Sequence, residues 1–257
     1  MLPSVVSRQV ADSVAAFLRA AFPMNSPLFS EQAGSELNPE GHQMLEKFLA
    51  DPEALLKGPY LSAQLPFRQS TLALDFFAHL SLPFPPHAHQ ARAFERLGAA
   101  EPKPTLVATG TGSGKTECFM YPLLNYCAGT PGGGVKAIVI YPMNALATDQ
   151  ASRFAKSIAS DPQLHGKVTV GLFVGDSEEF PSKRMGADSV ITCKHTLRES
   201  PPDILLTNYK MLDYLLMRPI DQPLWRYNQP GTLRYLVVDE LHTFDGAQGT
   251  DLACLLR

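Results

Sequence analysis

The sequence predicts an α/β domain built on a mostly parallel sheet, with a helical extension ahead of it. Three observations carry this prediction. From Gln90 onward, short β-branched apolar runs alternate with longer helical stretches, which is the pattern of βαβ units. A glycine-rich loop, Thr109-Gly-Thr-Gly-Ser-Gly-Lys-Thr116, joins one such run to a helix. Another run, Tyr235-Leu-Val-Val238, ends on the acidic pair Asp239-Glu240.

The extension covers residues 1–80. Val6, Val10, Val14, Phe17, Leu18 and Phe22 recur at helical spacing with Arg8, Asp12 and Arg19 between them, so it opens with an amphipathic helix. Turn-rich breaks follow at 23–30 and 34–41, and Pro83, Pro85 and Pro86 end the segment. The domain proper is then 81–257. Strands are expected at 105–108, 137–141, 203–207 and 235–238, with a fifth at 168–174; each is short and apolar, as burial on both faces requires. Helices are expected at 115–126 and 144–158. The second carries Leu146, Ala147, Ala151, Phe154 and Ile158 along one side, a periodicity that belongs to core packing. Residues 178–202 mix charge with weak periodicity and read as an insertion or long loop on the rim of the sheet.

Composition narrows the class. Hydrophobic residues at 45% and charged residues at 18% of 257 describe a globular chain and exclude a disordered one. A net charge of −3 excludes nucleic-acid binding through an overall positive field, so any such contact must be local. Cys118, Cys127, Cys193 and Cys254 form no CxxC pair, which fits reduced thiols better than a disulfide frame or a zinc site. The first helix lacks the uninterrupted apolar core of a secretory signal, and no stretch approaches the roughly 18 apolar residues of a membrane span. A cytoplasmic location is the resulting expectation.

The loop at 109–116 is the strongest chemical signal. Small residues let its backbone curl so that several N–H groups point inward, and the following helix adds the positive end of its dipole; together these cradle a polyphosphate such as that of ATP. Thr109, Gly110, Thr111, Gly112, Ser113, Gly114, Lys115, Thr116 and Glu117 are the candidate nucleotide-binding residues. Lys115 would reach the β- and γ-phosphates, and the Thr116 hydroxyl would bind Mg²⁺. The strict pattern GxxxxGK[ST] has Gly where this chain has Thr109, while Gly110, Gly112 and Gly114 supply the backbone freedom.

A nucleotide-hydrolysing site also needs a carboxylate for the metal and a base for water. Asp239 is the candidate metal carboxylate and Glu240 the candidate general base, because ligands sit at the carboxyl ends of strands in an open parallel sheet.

With these residues in view, Asp239-Glu-Leu-His242 resembles the DEAD/DEAH-box motif of superfamily 2 helicases, and Thr109 to Glu117 their first motif. The resemblance implies a RecA-like P-loop fold, ATP and Mg²⁺ as cofactors, and nucleic acid, DNA in the first instance, as partner. Gln90 lies where such helicases place a glutamine that reads adenine. The segment from Tyr141 to Gln150 resembles the motif that grips the nucleic-acid backbone, with Pro142 and Asn144 as contacts and Met143-Asn144-Ala145 replacing the usual Thr-Arg-Glu. The stretch from Pro202 to Leu212 resembles the next such motif, with Thr207 and Asn208 as contacts, and Val174-Gly175-Asp176 resembles the small turn motif between them. The wording Tyr-Pro-Met-Asn-Ala-Leu and Asp-Glu-Leu-His-Thr-Phe-Asp-Gly is similar to that of large bacterial helicases of phage-defence islands, of the Druantia and DISARM type, themselves related to a repair helicase group. Other proteins of a defence system are then implied as partners, and no membrane.

Within the 257 residues neither the Ser-Ala-Thr motif of such helicases nor a second RecA-like half is found. That half supplies an arginine finger, worth about 10³ to 10⁵ in rate in related hydrolases, so the chain by itself is expected to hydrolyse ATP poorly. The alternative is a non-catalytic nucleotide-binding or interaction module. A small-molecule kinase is a further rival, disfavoured by the segments 141–150 and 202–212. His87-Ala-His89 reads as loop surface or a metal pair, ligand count favouring the former. Cys193-Lys-His195 reads as incidental or as a nucleophile pair, Tyr60 and Phe67 as core or as base platforms, and His242 as a coupling residue or a structural hydrogen bonder.

Overall fold

The structure, a computed structural model, describes residues 3–21, 66–71, 75–175 and 180–257. Two units divide the chain, Met1–Pro66 and Phe67–Arg257. Of the first, the described part is helix α1 (Pro3–Ala21), the helix its periodicity predicts, with Val5, Val10, Val14 and Phe17 exposed. Phe22, Tyr60 and the breaks at 23–30 and 34–41 lie outside the described residues. No helix among the described residues is long and apolar enough to cross a membrane.

In the second unit, α2 (Ala88–Leu97) and α3 (Lys115–Gly129) precede four strands: β1 (Ala137–Tyr141), β2 (Val170–Phe173), β3 (Ile204–Asn208) and β4 (Tyr235–Val238). Between them lie α4 (Asn144–Ser160), α5 (Lys194–Glu199), α6 (Tyr209–Met217) and a 3₁₀ stretch (Pro219–Trp225); a 3₁₀ turn (Leu241–Thr243) and α7 (Gly246–Leu255) follow β4. The sheet runs β2-β3-β1-β4 and every pairing is parallel. In β1 all five residues are buried, and alternation sorts them to two faces. Ala137, Val139 and Tyr141 join Phe94, Leu123, Leu124 and Phe154 on one side. Ile138 and Ile140 join Leu205, Phe173, Leu212 and Leu215 on the other. A strand covered on both faces in this way reads as a continuous apolar run.

Two expectations are corrected. The run 105–108 is not a strand: it runs unpaired, and Leu106 is 79% exposed. Pro102 and Pro104 remove backbone donors at alternate positions just before it, and Arg96 holds the segment against α2 instead, donating to the Pro104 carbonyl at 2.8 Å and the Thr105 hydroxyl at 3.1 Å. The segment 178–202, expected as an insertion or long loop on the rim of the sheet, does meet that rim through a parallel bridge from Ile191 to Gly171 on the outer edge of β2, but it also contains the helix α5. Its weak periodicity follows from the shortness of α5, whose buried anchor is Leu197 alone.

At the opposite end of the sheet from the phosphate loop, Lys136 precedes β1 and Asp203 precedes β3. The buried Lys136 ammonium pairs with Asp203 Oδ1 and donates to the Gly132 carbonyl at 2.8 Å. Asp203 Oδ2 accepts from the Thr169 N–H and hydroxyl, each at 2.8 Å. One carboxylate thus ties the starts of three strands together. Asp203→Ala is expected to cost about 3–5 kcal/mol, because it strands a buried ammonium. Adding Lys136→Met is expected to restore part of that loss, measured as the urea midpoint of unfolding; equal midpoints for wild type and Asp203→Ala contradict this account.

Candidate functional site

The phosphate loop turns into α3 through Gly114, which sits at φ +75°. A side chain there would also collide: a Cβ would lie 2.4 Å from Gln90 Nε2 and 2.9 Å from Glu117 Oε2. Only glycine satisfies both constraints. Gly112, at φ +74°, makes the other sharp turn. Thr109, the departure from the strict pattern, closes the loop by a 2.6 Å hydrogen bond between its hydroxyl and that of Ser113. Lys115 Nζ lies 3.2 Å from the Thr109 carbonyl, folded back across the loop. Ser113 and Thr116 are buried, whereas Gly110, Thr111 and Gly112 are exposed.

Gln90, on α2, is buried against this loop. Its Oε1 accepts the His87 N–H at 2.8 Å and its Nε2 donates to the Gly114 carbonyl at 3.1 Å. A ring nitrogen of His89 meets the Ser113 carbonyl at 2.9 Å. Phe67 belongs to neither core cluster; its ring packs on His87 and His89, with centroids 5.5 and 5.8 Å away. It lies beside Gly110, whose added Cβ would come 3.9 Å from Phe67 Cζ. Phe67, His87 and His89 therefore line the loop's flank, an association that the 20 or more positions between Phe67 and the two histidines do not reveal.

The acidic pair follows from the sheet register. Ile140 pairs with Val238, so Asp239 comes level with Tyr141 and donates its N–H to the Ile140 carbonyl at 2.9 Å. Burial raises the Asp239 carboxyl above its ordinary value, against the Glu240 N–H bond at 2.9 Å and the positive charges of Lys115 and Arg153. Lys115 and Arg153 thus bear on the same carboxylate. Glu240 has φ 49°, a left-handed conformation found at no other non-glycine among the described residues. Such geometry at a candidate base marks strain held by its surroundings. His242 Nδ1 lies 3.2 Å from Glu240 Oε2, with its side chain open to solvent.

These donors fit a divalent cation of the magnesium kind. Among the described residues no group of three or more His, Cys, Asp or Glu is arranged to hold a metal by itself. Mg²⁺ does not require one: a single carboxylate, a hydroxyl, water and phosphate oxygens suffice. Thr116 and Asp239 would supply the hydroxyl and the carboxylate. The second oxygen of Glu117 is buried without a hydrogen-bond partner, a further unsatisfied acceptor at the start of α3.

A second edge lies at the ends of β1 and β3. Asn208 Nδ2 donates to Asn144 Oδ1 at 2.7 Å, while Asn208 Oδ1 accepts the Met211 N–H at 2.8 Å and caps α6. Pro142 and Asn144 are half-buried and Gly175 is exposed, with Lys194 Nζ at 3.4 Å from the Gly175 carbonyl. Thr207 is a correction: it is fully buried and its hydroxyl bonds the Phe173 carbonyl at 2.7 Å, so it fastens β2 to β3 and presents no side chain here. His195 Nδ1 lies 3.2 Å from Glu199 Oε2, and hydrogen bonding from Thr196 is the main influence that lowers the pKa of the Cys193 thiol.

A family model described as DEAD/DEAH box helicase matches residues 87–257. The chain is 26% identical to the Druantia protein DruE of Escherichia coli, over 89% of this chain and 19% of that protein. It is also 26% identical to the uncharacterized ATP-dependent helicase MJ1574 of Methanocaldococcus jannaschii, over 69% of this chain and 23% of the other. A solved structure of the Mycobacterium smegmatis helicase Lhr, bound to ssDNA and AMP-PNP, superposes with a TM-score of 0.50 at 24% identity, over 66% of this chain and 20% of that one. The chain spans about a fifth of the length of these relatives.

A raised Asp239 fixes a sign. The folded chain binds that proton more tightly than the unfolded chain, so stability is gained as pH falls through the raised value and lost as pH rises through it. Asp239→Asn keeps the acceptor for the Glu240 N–H and removes the charge. In EDTA at neutral pH it is expected to raise the melting temperature by about 2–4 °C, with the difference closing as the pH is lowered. A lower melting temperature at neutral pH contradicts the assignment.

Proposed function

Since the chain belongs to the DEAD/DEAH box helicase family and carries its RecA-like α/β domain, we propose that it is the ATP-binding half of a nucleic-acid-dependent motor acting on DNA in phage defence or repair. The observation that carries the reading is the geometry of the phosphate loop: Gly112 and Gly114 take left-handed φ angles of 74° and 75°, Thr109 and Ser113 close it through their hydroxyls, and Lys115 at the start of α3 folds back across it. The similarity to the Druantia protein supports the defence setting, and the Lhr likeness supports the fold on which nucleotide and single strand meet.

In this reading the inward N–H groups from Gly110 to Lys115 hold the phosphates and Lys115 neutralises the terminal ones. Gln90, buried against the loop, serves the base. Thr116 and Asp239 hold Mg²⁺, which when bound neutralises charge on the phosphate oxygens. Glu240 orients the attacking water and accepts its proton. Pro142, Asn144, Gly175 and Asn208 face the nucleic-acid backbone, where the starts of α4 and α6 direct N–H groups towards phosphate. The partner half, in the full-length protein or on a separate chain, supplies the opposing wall of both clefts, and the setting is the cytoplasm.

ATP hydrolysis is the direct test. Full-length protein is expected to turn over ATP with stimulation by single-stranded DNA, and the 257-residue chain to be slower by about 10³ or more for want of the second half. Lys115→Ala is expected to abolish both activities. Absence of nucleotide binding and of turnover in every form overturns the motor and leaves an interaction module.

A further inference from the structure

Arg153 lies on α4, a helix whose sequence shows only core periodicity, yet its guanidinium reaches the start of α3. One nitrogen donates to the Thr116 hydroxyl at 3.3 Å and to Gln150 Oε1 at 3.1 Å; the other forms an ion pair with Glu117 Oε1. Its charge also acts on Asp239 and on the buried Tyr141. A positive group therefore touches Thr116 and acts on Asp239, the two residues assigned above to the metal. The side chain is 40% exposed and keeps two anchors, Gln150 and Glu117, that do not involve Thr116. It is therefore able to let go of the hydroxyl without losing its place.

We propose that Arg153 is a positioning residue that stands in for the divalent cation: its guanidinium holds Thr116 and Glu117 before the metal–nucleotide arrives and yields the Thr116 oxygen when it does. The proposal rests on the reading of Thr116 and Asp239 as metal ligands. Two like charges beside one hydroxyl oxygen oppose each other. Arg153 consequently favours the metal-free nucleotide, an anion, and disfavours the metal-bound one, narrowing the gap between them. A residue with a merely structural role would shift both affinities together.

Fluorescent ADP is titrated into the 257-residue chain in Mg²⁺ and in EDTA, and the ratio of the two dissociation constants, EDTA over Mg²⁺, is compared among variants. Arg153→Gln is expected to raise that ratio about fivefold, the scale of one half-exposed charge interaction. Arg153→Lys, which keeps the charge and loses the fork, is expected to fall between the two. It serves the same comparison if the Gln variant fails to fold. A ratio unchanged or lowered in the folded variants overturns the proposal. If Lys115→Ala leaves ADP binding intact, the nucleotide-site reading fails and this proposal with it. If Lys115→Ala abolishes binding while the Arg153 ratio stays at the wild-type value, only the role of Arg153 fails.

Discussion

The pairing of β1 on both of its edges organises this domain. It is the strand with β3 on one side and β4 on the other, and its five residues are buried. Parallel strands in matched register end at one level, so three chain segments leave the sheet side by side: Pro142 and Asn144 after β1, Asn208 at the end of β3, and Asp239 after β4. Each then enters a helix or 3₁₀ turn within a few residues. The candidate site residues thereby share one rim, while the Lys136–Asp203 pair secures the strand starts at the other. Loss of register by one residue would turn the rim residues to the wrong face.

Much of this was legible. The bounds of β1 and β4 follow from their apolar runs, although burial on both faces holds for β1 alone of the two: in β4 Tyr235 is buried while Leu236 is exposed. The glycine spacing of the phosphate loop matches the two positive φ angles at Gly112 and Gly114. What was not legible depends on tertiary placement. Whether 105–108 pairs is decided by which neighbour lies beside it, and Arg96 competes for its polar groups. Thr207 stands in a motif-like stretch, but strand alternation turns its hydroxyl to Phe173. Arg153 joins the site from a helix that the sequence reads as core, and Phe67, read as core or as a base platform, joins it through ring contacts; neither contact has a local signature.

The site holds its polar groups at a cost to the fold. Asp239 is a carboxylate half withdrawn from water, Glu240 occupies a backbone conformation that suits glycine, and buried oxygens of Glu117 and Tyr141 lack hydrogen-bond partners. Each is unfavourable for an isolated chain, and all lie near the end of β1 or the start of α3. A cluster of such features where a nucleotide and its metal are proposed to bind is consistent with a site whose groups are arranged for ligand charge before the ligand comes.

β4 has a neighbour on one side only, and Leu236 within it is 45% exposed. The outward backbone groups of such a strand form a ready template for another strand, and the four residues of β4 include neither a charge nor a proline to blunt it. Solution behaviour is thereby linked to architecture: the end of α2 and the residues just after it meet the start of β4, where Tyr235 and Arg234 donate to the carbonyls of Leu97 and Ala100, and a strand pairing along the rest of that edge would lie next to the acidic pair.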